Sequence, residues 1–180
     1  MPIEPDTKDW TWVLRRPCPE CGFDAARVAP EEVADRLRAD LPVWHAVVLK
    51  DGAADRPDDA TWSPLEYGCH VRDLHRVYRG RVERMLAEDD PLYDNWDQDA
   101  TAVQERYAEQ DPAAVAEALV AEGEATAAVL DGVRGQQWQR PGRRGDGASF
   151  TIDGLARYYL HDAVHHLVDV GARSASHDQP

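Results

Sequence analysis

Ser63-Pro64-Leu65-Glu66 constrains the chain more than any other stretch, because it is the signature of a helix start. A serine at the cap, a proline at the first helical position and a glutamate three residues after the cap satisfy the orphan amides of a first turn. From Leu65, apolar residues recur at helical spacing through Val71, Leu74, Val77, Tyr78, Val82, Met85 and Leu86, so a long helix runs from Pro64 to about Glu88. Three further segments carry the same period. One starts near Pro30, with Glu31 and Glu32 in its first turn, and continues through Val33, Leu37, Leu41, Trp44 and Val48; Pro42 should bend or split it. Another follows Asp111-Pro112 through Val115, Leu119, Val129 and Val133, and the last is capped by Thr151 and ends near Gly171. Ala100 to Tyr107 suits a short additional helix. With no strand pattern and no internal repeat, the expected fold is all-α: one domain, a four-helix bundle over about residues 30–174.

Residues 1–29 differ in kind, being proline-rich and non-periodic with apolar anchors at Trp10, Trp12, Val13 and Leu14, and they read as an extended N-terminal arm packed on the bundle. The arm contains Cys18-Pro19-Glu20-Cys21-Gly22, half of a zinc-ribbon knuckle that lacks its second cysteine pair. A structural or incidental role competes with a metal or thiol role, and a symmetric dimer is one way to unite two such pairs. Three cysteines make an odd count for a disulfide framework and agree with a reducing compartment. Asp and Glu outnumber Lys and Arg by 34 to 20, giving a net charge of −14, which repels nucleic acid and anionic membrane surfaces. The N-terminus resembles no signal peptide and no apolar run is long enough to span a bilayer, so a cytoplasmic location is expected.

Chemistry concentrates in Tyr158 to Asp169. His161 and His165 are one helical turn apart, which aims both rings at a common point and makes a two-ligand clamp for a cation. Tyr158, His161, His165 and Val168 share a stripe, whereas Leu155, Tyr159, His166 and Val170 lie about 100° round the axis. On this reading His166 supports the site rather than ligating. Asp162 and Asp169, four residues from His166 and His165, can accept the outer N–H of ligating rings. A third ligand must come from another element. His70 is the candidate, since it shares the inward stripe of Tyr67, Leu74 and Val77, while His75 lies off that stripe and should face solvent. Glu66, Asp73, Asp162 and His166 are the available general bases, and spacing alone selects none of them. Cys69 should point about 100° away from His70 and is not assigned as a nucleophile. Arg140, Arg143 and Arg144 form the one basic cluster, either a solvated turn or a clamp for the carboxylate of an anionic small molecule.

His70 together with His161-x3-His165-His166 resembles the DinB superfamily of metal-binding four-helix bundles, over about Asp9 to Arg173. Trp62 to Asp73 and Phe150 to Asp169 resemble in particular the actinobacterial branch that includes the N-terminal domain of mycothiol-dependent maleylpyruvate isomerase. The resemblance implies zinc or nickel held by His70, His161 and His165, often in a homodimer, and a small thiol such as mycothiol attacking an electrophile as thiolate. That isomerase branch has a glutamate where this chain has His161, which places the ligand set nearer the three-histidine thiol-transferase type.

Two classes of function follow. The first is an enzyme that transfers a low-molecular-weight thiol to a small-molecule electrophile, or, with water as nucleophile, a metal-dependent hydrolase. The second is a structural or sensory metal-binding module in which Cys18 and Cys21 act as a redox or interaction element.

Overall fold

The computed structural model describes residues 9–174; the first eight residues of the arm and residues 175–180 lie outside that range. Its frame is four long helices, α1 (Val33–Leu49), α2 (Pro64–Ala87), α4 (Pro112–Asp131) and α5 (Ile152–Asp169), with a short α3 (Gln98–Gln104) in the connection between α2 and α4. The capping box forms as the sequence dictates: the Ser63 hydroxyl accepts from the Glu66 amide at 3.2 Å, and the Glu66 carboxylate accepts from the Ser63 amide at 2.8 Å. Asp111 and Thr151 cap α4 and α5 through the amides of Ala114 and Gly154, at 2.8 and 3.1 Å.

Helix α4 packs on both α1 and α2, and α5 packs on α2 and α1. Glycines set the closest approaches. Gly68 on α2 lies so near Val48 of α1 that an added Cβ would sit 2.4 Å from its Cγ2, and Gly123 on α4 admits Leu41 in the same way. Helix α1 is continuous through Pro42, neither split nor ended, with the proline on its exposed side. Trp44, Leu65, Leu119 and Leu167 are in one part of the core, and Leu37, Leu74, Leu155, Tyr159 and Leu160 in the other.

Two features depart from the sequence reading. The loop after α4 contains strands: β2 (Pro141–Arg144) and β3 (Ser149–Thr151) form an antiparallel hairpin, and β1 (Leu92–Tyr93) pairs parallel to β2 with Leu92 opposite Arg143. These strands are two to four residues long, too short to show a period of two. The arm is not simply extended. It coils into 3₁₀ turns at Trp10–Leu14 and Ala25–Arg27, packs along α5, and buries Val13, Cys18, Cys21, Phe23 and Ala25. Among the described residues no helix is long and apolar enough to cross a membrane.

Candidate metal centre

Helix α5 presents two i, i+4 pairs of ligand-type side chains offset by one residue, His161/His165 and Asp162/His166. One residue is a rotation of about 100°, so the pairs address different neighbours. Ligand atoms of His70, Asp162 and His166 all lie within 4.8 Å of one another; those of His161 and His165 make a second such group with Cys18 and Cys21. Among the described residues, His70, His161 and His165 do not form a common group. The structure thus gathers the expected ligand His70 with Asp162 and His166, and the expected ligands His161 and His165 with Cys18 and Cys21: α2 meets α5 on the Asp162/His166 flank, and the arm covers the His161/His165 flank.

The first group lies between α2 and α5. The His70 and His166 rings meet edge to face with centroids 4.9 Å apart. Asp162 Oδ1 is 3.0 Å from His166 Nε2 and 4.0 Å from His70 Nε2. His70 is fully buried, stacked on Trp96 at 5.2 Å and flanked by Trp62 at 5.5 Å. Neither of its ring nitrogens has a hydrogen-bond partner. Two unsatisfied nitrogens on one buried imidazole are costly unless something fills the gap, and a cation between His70, Asp162 and His166 would do so. Burial lowers the His70 pKa and keeps its ring neutral, the form that ligates. For His166, burial opposes the charge, but Asp162 and Asp169 outweigh it and raise the pKa to about 9. Burial works against the Asp162 carboxylate as well, yet His166 and His70 hold it below the usual carboxylate range. Two histidines and one carboxylate are a complete protein set for an open divalent site, so the residues present fit a metal.

A cavity of about 580 Å³ lies over this group, within the size range of small-molecule sites. Asp162 and His166 line it, as do Trp10, Trp62 and Trp96, while Arg81 and Arg144 supply positive charge. Of the three arginines singled out in sequence only Arg144 reaches the cavity. It pairs with Asp146 at 2.9 Å and lies over the rings of Phe150 and Tyr158. Arg140 donates to the backbone carbonyls of Met85 and Glu88, and Arg143 pairs with Asp90 at 2.9 Å.

The remaining candidate bases are otherwise engaged. Glu66 is held by Arg56 at 2.8 Å in addition to its capping role. Burial opposes its charge, but Arg56 and Ser63 prevail and keep its carboxyl below the ordinary range. Asp73 accepts from Tyr107 at 2.6 Å and from Arg72 and Arg76 at 2.9 Å. Cys69 points to Gln110 and the Tyr107 carbonyl, away from His70. His75 does not face solvent as its stripe suggested. It is buried, and its Nδ1 meets the Tyr159 hydroxyl, because α2 is covered by α4 as well as α5.

A family model described as the DinB superfamily matches residues 35–169, three quarters of the chain. The chain belongs to the DinB superfamily. This DinB protein has the fold of YfiT from Bacillus subtilis, described as a probable metal-dependent hydrolase with an unusual four-helix bundle topology. The TM-score is 0.67 and the identity 20%, over 79% of this chain and 85% of that one. No curated protein sequence matches it. The matched region of this DinB protein contains His70, Asp162 and His166 and excludes Cys18 and Cys21.

Proposed function

We propose that this DinB protein is a metal-dependent enzyme that joins a low-molecular-weight thiol, of which mycothiol is one example, to a small electrophile. The observation that carries this reading is His70, a buried imidazole with two unsatisfied nitrogens, facing Asp162 and His166 at the edge of an aromatic-walled cavity. His70, Asp162 and His166 would hold the ion, zinc or nickel by the resemblance. The ion supplies the positive charge that makes a thiol, or a water molecule, nucleophilic near neutral pH.

The chain's own residues do the rest. Asp169 accepts from His166 Nδ1 at 2.7 Å, which orients the ring with Nε2 toward Asp162, where the ion would replace the proton between them, an arrangement common in metal-binding imidazoles. Trp62 and Trp96 clamp His70 and shield it from water. Arg144, fixed by Asp146, offers a guanidinium to an anionic substituent of the electrophile.

Titration of the zinc-loaded protein with a small thiol by calorimetry tests the reading. Saturable binding to wild type that is lost in His70→Ala supports it. If thiol does not bind, and the loaded protein hydrolyses esters or amides without thiol, the site is that of a hydrolase, the reading favoured by the description of YfiT.

A further inference from the structure

The second group, Cys18, Cys21, His161 and His165, lies on the adjacent flank of α5, about 100° round the helix from the first, and is not used by the reaction proposed above. We infer that these four side chains bind a structural zinc ion which staples the N-terminal arm to the last helix. The inference does not depend on the reaction assigned to the other group.

Both cysteines are free thiols and all four residues are buried. Cys18 Sγ is 3.7 Å from His165 Nδ1. The two cysteines are held in a tight knuckle: the Gly22 amide donates to the Cys18 carbonyl at 2.8 Å, the Cys18 amide to the Phe23 carbonyl at 2.8 Å, and Gly22 takes a φ of +76°, where a glycine is at ease. His161, 4% exposed, has a buried Nε2 with no hydrogen-bond partner. His165 has its Nδ1 toward Cys18 and its Nε2 toward Glu20 at 3.4 Å and Asp169 at 3.7 Å. Carboxylates behind the outer nitrogen of a ring whose inner nitrogen faces thiols are the surroundings of a ligating histidine.

The ligand chemistry selects the ion. Two sulfurs and two imidazoles at converging positions are a closed tetrahedral zinc set, with no place left for substrate. Binding expels the two thiol protons to solvent, and two thiolates then cancel the charge of the ion, so the buried unit is neutral and needs no further counter-charge. C-x-x-C alone is a weak motif; it gains its second half from residues 140 or more positions away. The knuckle is completed within one chain, so no second copy is needed to supply ligands. The arm it pins carries Trp10, whose ring lies 5.7 Å from that of His161 and 5.2 Å from that of His165 and forms part of the cavity wall. The staple therefore sets one wall of the neighbouring site.

Cobalt substitution tests the inference. Wild type should show intense thiolate-to-cobalt charge-transfer absorption that persists in His166→Ala and disappears in Cys18→Ser/Cys21→Ser. Absence of the band in wild type, or its persistence without the two cysteines, overturns the proposal. Because the double variant can fail to fold, peptide-resolved alkylation of zinc-loaded wild type provides an independent readout. Cys18 and Cys21 should react at least about tenfold faster after chelation. Equal rates with and without zinc, or a Cys18–Cys21 disulfide in zinc-free protein as purified, overturn it as well.

Discussion

The same substitution at two positions of α2 should have opposite effects. Gly68 and Gly80 are both interior to this helix, where alanine is favoured over glycine by about 1 kcal/mol. At Gly80 an added Cβ meets nothing within 4 Å, so Gly80→Ala should gain most of that amount. At Gly68 the added methyl would lie 2.4 Å from Val48 Cγ2. Val48 is fully buried and β-branched, with little rotamer freedom to withdraw, so α1 and α2 must move apart. Overpacking of this kind costs about 1–3 kcal/mol, and an overlap this severe against a stiff, buried partner belongs to the upper part of that range, about 2–3 kcal/mol. Set against the propensity gain, Gly68→Ala should lose about 1–2 kcal/mol, or on the order of 2–8 °C in Tm for a domain of this length. Urea and thermal unfolding followed by circular dichroism measure both variants. Val48→Ala should be less harmful in the Gly68→Ala background than alone, with a coupling of at least about 0.5 kcal/mol. A Gly68→Ala protein as stable as wild type, or additive behaviour with Val48→Ala, would refute the packing argument.

Other predictions concern the core, the cavity and pH. Leu119→Ala on α4 removes a fully buried side chain and should cost about 2–5 kcal/mol in denaturant unfolding. Arg144→Gln should raise KM for an anionic electrophile about tenfold, about 1.4 kcal/mol, whereas Arg140→Gln should leave kinetics alone and lower Tm, because Arg140 serves the carbonyls at the end of α2. For His75, burial dominates over the nearby Glu122, which favours the charged ring, and Arg79, which opposes it; together they depress the pKa to about 3 from an ordinary 6.5. The unfolded chain then takes up a proton at pH 6.5 that the folded one refuses. This contribution is intact above pH 6.5 and is lost as pH falls toward 3, at about 1.4 kcal/mol per pH unit. Unfolding free energies at pH 7 and 5.5 should show a shallower slope for His75→Gln than for wild type, and equal slopes would exclude His75 as the cause.

The helices were legible because their ends carry local chemistry: Ser63 with Glu66, Asp111 with Pro112, and Thr151 each satisfy first-turn amides whatever the rest of the chain does. Which flank of a helix meets which neighbour was less so. Helix α5 is buried by α2 on one side and by the arm on another, and α2 is covered by α4 as well as α5, so no single apolar stripe fixes the rotation. The one-residue ambiguity between His161/His165 and Asp162/His166, and the misplacement of His75, both arise there. Periodicity tells which residues turn inward only when a helix has a single inward side. The Cys18/Cys21 signal was present in the sequence, but its partners are contributed by tertiary packing of the arm, which has no period to read.

Both proposed ions require α5 to divide its ligand-type side chains between two centres. Anomalous scattering at the zinc edge from crystals of the zinc-loaded protein measures this directly. Two peaks per chain are expected, one among His70, Asp162 and His166 and one among Cys18, Cys21, His161 and His165. A single ion bridging His70 to His161 and His165, or no peak beside His70, would contradict that division.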